Sequence, residues 1–355
     1  MAYRKPQRYF SFADLAVEKH ADKNRALAVL KQLNLTIDWN PLKKLLDQFY
    51  QTGKQIEGGK AYPPLLLFKC LLLQKWFQIP SDPELESQIN DRISFKSFLG
   101  LPLDQASPDH STFSRFRSRL SKQAMIKLNS ALLAQLHQHG ITVNEGVAID
   151  ARLVKSASKP VSNDKLTELR DKNAQPDGNL DKNGNPKKFS RDLESDWTIK
   201  NDVPHFGLKE HAAVDVENGL ILSTTLTPAS HSDSTYLPYA TIYSMHTNQK
   251  IDVVYADKGY AGAPNRNFLA MNKIADGIMR KNNINACLTE AEIARNKSIS
   301  KKRYIVEQYF GLATLFDDRS RARFTTIVKN SIDAMFRQFA FNLRKGAGIL
   351  RRLPL

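Results

Sequence analysis

The stretch His211-Ala-Ala-Val-Asp-Val-Glu-Asn-Gly-Leu-Ile-Leu-Ser-Thr-Thr-Leu226 decides the fold class. Two apolar runs, β-branched at their cores, flank Asn218-Gly219. An Asn-Gly pair between such runs marks a β-hairpin, because both residues tolerate the positive φ of a tight turn. Upstream, Gly146-Val-Ala-Ile-Asp-Ala-Arg-Leu-Val154 reads as another strand. Downstream, residues 232–246 read as a helix, 251–256 as a strand and 275–279 as a last strand. Pro264 stands where it can open a helix between those two strands. Helices follow from about 300 to 316 and from about 325 to 343. Between 156 and 203 the chain is rich in Asn, Asp, Lys, Pro and Gly, and reads as a loop or poorly ordered insertion.

From Gly146 the order is strand, hairpin, helix, strand, helix, strand, helix. That is the element order of a ribonuclease-H-like α/β domain: three antiparallel strands, then parallel strands joined by helices. Other mixed α/β folds share it. The preceding segment reads as mostly helical. Leu42, Leu45, Leu46 and Phe49, then Leu65, Leu66, Phe68, Leu72, Leu73 and Trp76, recur at helical spacing. Pro63-Pro64 fits a helix start, and Ser81 is a candidate N-cap followed by acidic residues. The expected organisation is a helical unit over 1–145 and a mixed-sheet unit with flanking helices over 146–355, the latter interrupted by the polar insertion at 156–203.

Over 355 residues, 52 Lys+Arg against 36 Asp+Glu give a net charge of +16. The excess sits at the two ends: +7 over 1–149, +1 over 150–299 and +8 over 300–355. Such a field suits a polyanionic partner. Cys70 and Cys287 are far apart and form no CxxC, so neither a disulfide scaffold nor a zinc site is indicated. The N-terminus lacks an apolar signal region, and the longest apolar stretch, 63–77, is broken by Lys69, Gln74 and Lys75, so no membrane role is expected. Arg115, Arg117 and Arg119 cluster on a helix opened by Ser107-Pro-Asp-His. They fit either a helix-turn-helix-like DNA contact or a basic bundle surface.

Three acids fall where an α/β fold places ligands. Asp150 lies inside the first strand, Asp257 ends the strand at 253–256, and Glu307 lies on a late helix. Carboxylates suit hard cations such as Mg2+, and two such ions can flank a phosphodiester. Asp150 is the natural carboxylate to share between them. Arg303, Glu307, Gly311 and Thr314 fall on one helix face by spacing. Arg303 would touch a phosphate, brace the carboxylate, or form an ordinary surface salt bridge with Glu307. His205, Lys209 and His211 read as DNA-backbone or structural contacts, since Mg2+ does not favour imidazole. Tyr260 would stack on a base or pack.

The chain also resembles DDE transposases of bacterial insertion sequences, specifically the family named after insertion sequence 5. The resemblance rests on Ser11-Phe-Ala-Asp, Tyr62-Pro-Pro-Leu through Gln74-Lys-Trp-Phe, Pro108-Asp-His-Ser-Thr-Phe, His205-Phe-Gly-Leu-Lys-Glu-His211, Ala256-Asp-Lys-Gly-Tyr260 and Val306-Glu-Gln-Tyr-Phe-Gly311. It implies a catalytic triad of Asp150, Asp257 and Glu307 holding two Mg2+ ions (Mn2+ substituting), with Arg303 as the signature arginine. It implies cutting at the element's ends and transfer of the 3′ hydroxyl strand to target DNA. The implied partners are double-stranded terminal inverted repeats and target DNA, held by a homodimer or larger assembly. The implied location is the bacterial cytoplasm, on the nucleoid, with no small-molecule cofactor. One position departs from the family: Thr314 stands where a Lys or Arg is usual seven residues after the glutamate. Three readings follow: Arg319, Arg321 or Arg323 compensates, end binding is weakened, or this copy has drifted. Thr314 keeps open the reading of a decayed or domesticated sequence-specific DNA-binding protein, and a structure-selective nuclease of the same fold is a separate alternative.

Overall fold

A computed structural model describes residues 23–52, 61–143, 145–175, 180, 184, 191–246, 250–282, 287–316 and 320–351, with isolated positions before 23. The chain divides into two compact units, Met1–Thr142 with Met335–Leu355, and Val143–Ala334.

In the first unit the described helices are α1 (Arg25–Leu35), α2 (Trp39–Phe49), α3 (Pro64–Trp76), α4 (Asp82–Asp91), α5 (Ile93–Leu99), α6 (His110–Arg119) and α7 (Lys122–Gln138). Their starts follow local chemistry. Pro64 opens α3, the Ser81 hydroxyl accepts from the Glu84 amide at 3.2 Å, and Asp109 caps α6. Helix α3 is apolar nearly all round, with Leu67, Phe68, Cys70, Leu71, Leu72 and Leu73 buried, as a central helix must be.

The C-terminal part of the last helix belongs to this unit. Phe68 meets Phe336 and Phe339 at ring-centroid distances of 5.1 and 5.0 Å. The Trp76 indole donates to the Ala340 carbonyl at 2.9 Å, and the Asn129 amide to the Met335 carbonyl at 3.3 Å. Residues 335–351 were expected with the α/β unit, but their local pattern carries only amphipathicity. The aromatic surface that receives them lies more than 200 residues away in sequence.

The second unit is a mixed sheet with helices. Strand β1 (Gly146–Lys155) is followed by α8 (Asn163–Ala174), β2 (Asp196–Lys200), β3 (Val203–Asp215) and β4 (Ile221–Pro228). A one-turn 3-10 helix (Asp233–Tyr236) leads into α9 (Leu237–Met245). Then come β5 (Val253–Ala256), a second 3-10 turn (Lys258–Tyr260), α10 (Ala263–Met271), β6 (Ala275–Ile278), α11 (Glu290–Phe316) and α12 (Ile327–Leu350). Strand β3 pairs antiparallel with β1, β4 and β2, while β1 pairs parallel with β5, and β5 with β6. The predicted hairpin is present. Gly219 takes φ +68°, and the Asp215 carboxylate accepts from the amides of Glu217 and Asn218, fixing the turn.

Two expectations are corrected. The stretch 156–203 is not simply a loop: Ser162 caps α8, and β2 adds to the N-terminal end of β3. Strand β2 is only half buried, so it lacks an apolar alternation, and pairing with β3 creates it. Helix α11 starts at Glu290, a decade earlier than expected, because its first turns are polar. Gly207 in β3 has a packing reason: a Cβ there would collide with the Val154 carbonyl oxygen.

Candidate active site

Side chains alternate along β1, so Asp150 and Arg152 share a face. Across the antiparallel ladder Asp150 pairs with Ala212 and Arg152 with Glu210. The parallel register pairs Ala148 with Tyr255. Continued two residues, it brings Asp257 alongside Asp150 at the point where β5 ends. Asp257 caps the 3-10 turn that follows, accepting from the Gly259 amide at 2.7 Å. The charge of Asp257 accordingly acts on Asp150, although 107 residues separate them.

Helix α11 supplies the third acid and the arginine. Arg303, 8% exposed, donates through Nη2 to Asp150 Oδ2 at 2.8 Å, while the Ala151 amide donates to Oδ1 at 2.8 Å. Nη1 of Arg303 lies 3.9 Å from the Met279 sulfur, just past β6. Of the three readings left open for Arg303, the structure shows it bracing a carboxylate, and that carboxylate is Asp150. Burial pushes the Asp150 carboxyl above its ordinary range, Arg303 and the Ala151 amide pull it down, and the charges of Asp257 and Glu307 push it up. Both other acids thus act on Asp150. The single-face reading of α11 needs revision: Arg303, Val306, Phe310 and Ala313 are buried, whereas Glu307 and Gly311 are exposed and Thr314 is half-buried. Leu312 is exposed as well. Glu307 sits at the rim of the packed stripe, where a carboxylate stays solvated.

Beside this group lies a buried ion pair that the sequence reading missed. Arg152 donates to Glu210 Oε2 through Nε at 2.7 Å and Nη2 at 2.6 Å. Glu210, fully buried, also accepts from the Tyr309 hydroxyl at 2.8 Å and the Thr224 hydroxyl at 3.1 Å. Arg152 Nη1 reaches Ser320 Oγ at 3.0 Å and Thr314 Oγ1 at 3.5 Å. Thr314 is therefore adjacent to a guanidinium supplied by β1, and a lysine there would face that buried cation. The sequence offered little signal for it, because Glu210 stands between Lys209 and His211 and looks like one member of a charged surface run.

The expected DNA contacts scatter. Arg115 and Arg119 are exposed on α6. Arg117 is not: at 4% exposure it donates to both Asp82 oxygens, at 2.9 and 3.1 Å, and to Gln74, knitting α6 to α4 and α3. Its guanidinium is committed to the helical core. Tyr260 is 1% exposed, so it cannot stack on a base. Lys209 pairs with Asp233 at 2.9 Å and donates to the His231 carbonyl at 2.8 Å. His205 is half-buried opposite Thr198 in the β2–β3 ladder. His211 is buried, meets the Thr227 hydroxyl at 2.9 Å and stacks on Tyr236, and burial lowers its pKa to about 4. Its position is structural. Arg321 is exposed and donates to the Ala157 carbonyl, and Arg323 lies over the Phe324 ring. Arg319 lies outside the described residues.

The donor set at Asp150, Asp257 and Glu307 is all oxygen, which suits a hard divalent cation, and a cation among them would offset the charges of Asp257 and Glu307 that act on the buried Asp150. Among the described residues, the potential metal ligands whose atoms all lie within 4.8 Å of one another are instead Glu86, Asp109 and His110. These belong to the helical unit, where Glu86 accepts from the His110 amide and ring at the start of α6. That arrangement is a helix-start hydrogen-bond cluster. No described helix is long and apolar enough to cross a membrane.

Comparison with known proteins gives three findings. Residues 142–343 match the family model "Transposase DDE domain", and residues 16–119 match "Transposase domain (DUF772)". Over 241 residues the chain is 30% identical to the transposase for insertion sequence element IS1106 of Neisseria meningitidis serogroup B, covering 67% of this chain and 78% of that protein. No solved structure matches.

Proposed function

The chain belongs to the DDE transposases, whose domain implies the ribonuclease-H-like fold described above, and on that premise we propose that it cuts DNA at the ends of an insertion sequence and joins them to a target. The observation that supports this reading best is the convergence of Asp150, Asp257 and Glu307 from three distant segments onto one site braced by Arg303.

Asp150, Asp257 and Glu307 would hold Mg2+, two ions in all, with Mn2+ able to replace it. When bound, the ions lower the pKa of water and neutralise charge on the leaving oxygen of a phosphodiester. The protein's own groups do the rest. Arg303 keeps the Asp150 carboxylate in one orientation. Hydrolysis at the element's end leaves a 3′ hydroxyl, and that oxygen attacks a target phosphodiester, so one P–O bond forms as another breaks and no covalent protein–DNA link is needed. The excess positive charge at the two ends of the chain would hold DNA through phosphate contacts. Terminal inverted repeats and target DNA are the proposed partners, and holding two ends together calls for a dimer or larger assembly.

The test uses a plasmid carrying the gene's native flanks. Wild-type protein and Glu307→Ala are incubated with it in Mg2+ and in EDTA, and the ends are mapped by sequencing. Cuts at a fixed inverted repeat that need both Mg2+ and Glu307 are expected. Binding without any cutting would support the non-catalytic DNA-binding reading, and cuts lacking a fixed repeat would support a structure-selective nuclease.

Arg115 and Arg119 on α6 remain the proposed DNA contacts of the helical unit. Arg115→Ala is expected to weaken DNA binding several-fold, reduce its salt dependence, and leave the melting temperature unchanged. Arg117→Ala is expected to lower the melting temperature, because the partly buried Asp82 loses its cation. The reverse pattern in parallel melts and filter-binding titrations would remove α6 from the interface.

A further inference from the structure

Tyr260 is anchored at both its backbone groups. Its amide donates to the Asp257 carbonyl at 3.2 Å, closing the 3-10 turn. Its own carbonyl accepts from Asn265 Nδ2 at 2.9 Å, and the same nitrogen donates to the Ser234 carbonyl at 2.9 Å. Asn265 is buried, so it clamps together the two turns that carry Asp257 and Asp233. The Tyr260 ring is thus fixed in place, 1% exposed.

Its hydroxyl, however, has no hydrogen-bond partner among the described residues. Burial, and after it the charges of Asp150, Asp233 and Asp257, hold the phenol well above its ordinary range, while Arg303 pulls it down. A second buried donor in the same place, Arg303 Nε, also lacks a partner among the described residues. Two buried donors, both unpaired among the described residues, is an arrangement that native structures avoid unless a ligand or a small rearrangement completes it.

We propose that Tyr260 is a positioning residue for the three-carboxylate site: when the site is loaded, its buried hydroxyl donates to the Asp150 carboxylate and holds one oxygen so that the other faces the ligand. Arg303 already performs the same task from the α11 side, so the two donors would grip the shared carboxylate from opposite directions. This inference rests on the reading of Asp150, Asp257 and Glu307 as the cation-holding acids. Groups that orient a ligating carboxylate are worth about 10- to 100-fold in metal affinity or activity.

The experiment compares wild type, Tyr260→Phe and Asp150→Asn. Phe keeps the ring and removes only the oxygen. Mn2+ binding is followed by loss of the free-ion paramagnetic resonance signal, folding by thermal melts, and DNA cleavage by kcat and KM. Tyr260→Phe is expected to melt at or above the wild-type temperature, because the oxygen it loses pairs with nothing. It is expected to bind Mn2+ about tenfold more weakly and to lower kcat with KM for DNA unchanged. Mn2+ affinity and kcat both within twofold of wild type would overturn the proposal. A lowered melting temperature with unchanged Mn2+ affinity would also overturn it, by showing a purely structural hydroxyl. Equal Mn2+ binding by wild type and Asp150→Asn would instead overturn the parent reading of the acids, whatever Tyr260→Phe does.

Discussion

Asp150→Asn protein is expected to bind end DNA with wild-type affinity and to cut it at least about a thousandfold more slowly, roughly 4 kcal/mol in the barrier. The substitution is nearly isosteric, so it changes charge and leaves shape alone. Asp150 is the acid on which the others converge: it sits between Arg303 and the fields of Asp257 and Glu307. Two effects on stability oppose each other. Asn removes a carboxylate whose charged form is disfavoured by burial and by two neighbouring acids. It also takes from Arg303, 9% exposed at the side chain, its anionic partner at 2.8 Å. The net change in melting temperature is expected to be a few degrees at most, so lost cleavage would not be lost folding. Cleavage at the wild-type rate by a folded Asp150→Asn protein would remove Asp150 from the reaction.

The second large effect is on stability. Glu210→Ala is expected to cost about 3–5 kcal/mol, the usual penalty for removing one partner of a buried ion pair. Glu210 is fully buried and accepts from Arg152, Tyr309 and Thr224, so its loss leaves a buried guanidinium without its carboxylate. For a unit of 150–250 residues this corresponds to a fall of roughly 6–20 °C in the melting temperature. Arg152→Met combined with Glu210→Leu is expected to recover most of that loss, because well-packed apolar groups of similar volume often match or exceed a buried pair. Calorimetry is the suitable measurement, since the two compact units allow separate transitions. A single variant that melts within 2 °C of wild type would show that the network adds nothing.

The network also bears on Thr314. Read along the chain, that position looks like a missing basic residue. In the folded protein its hydroxyl touches the Arg152 guanidinium and Ser320 Oγ, and a cation is already present from β1. Sequence spacing along one helix could not reveal a charge delivered from a strand 162 residues earlier.

By itself the sequence determined the elements whose signal is local. The Asn218-Gly219 turn, the strands at Val253–Ala256 and Ala275–Ile278 and the Pro64 and Ser81 helix starts were all legible. Turn chemistry, β-branched runs and capping act within a few residues, so a few residues suffice to read them. Tertiary structure alone decided what depends on distant partners. Strand β2 exists because β3 offers it a ladder, and Met335–Leu355 joins the helical unit because Phe68 and Trp76 receive it. Arg117 and Tyr260 looked like groups for DNA until burial committed one to Asp82 and enclosed the other among carboxylates. An arginine or tyrosine has the same chemistry on the surface and in the core. Only the packing around it determines whether that chemistry faces a ligand or the protein itself.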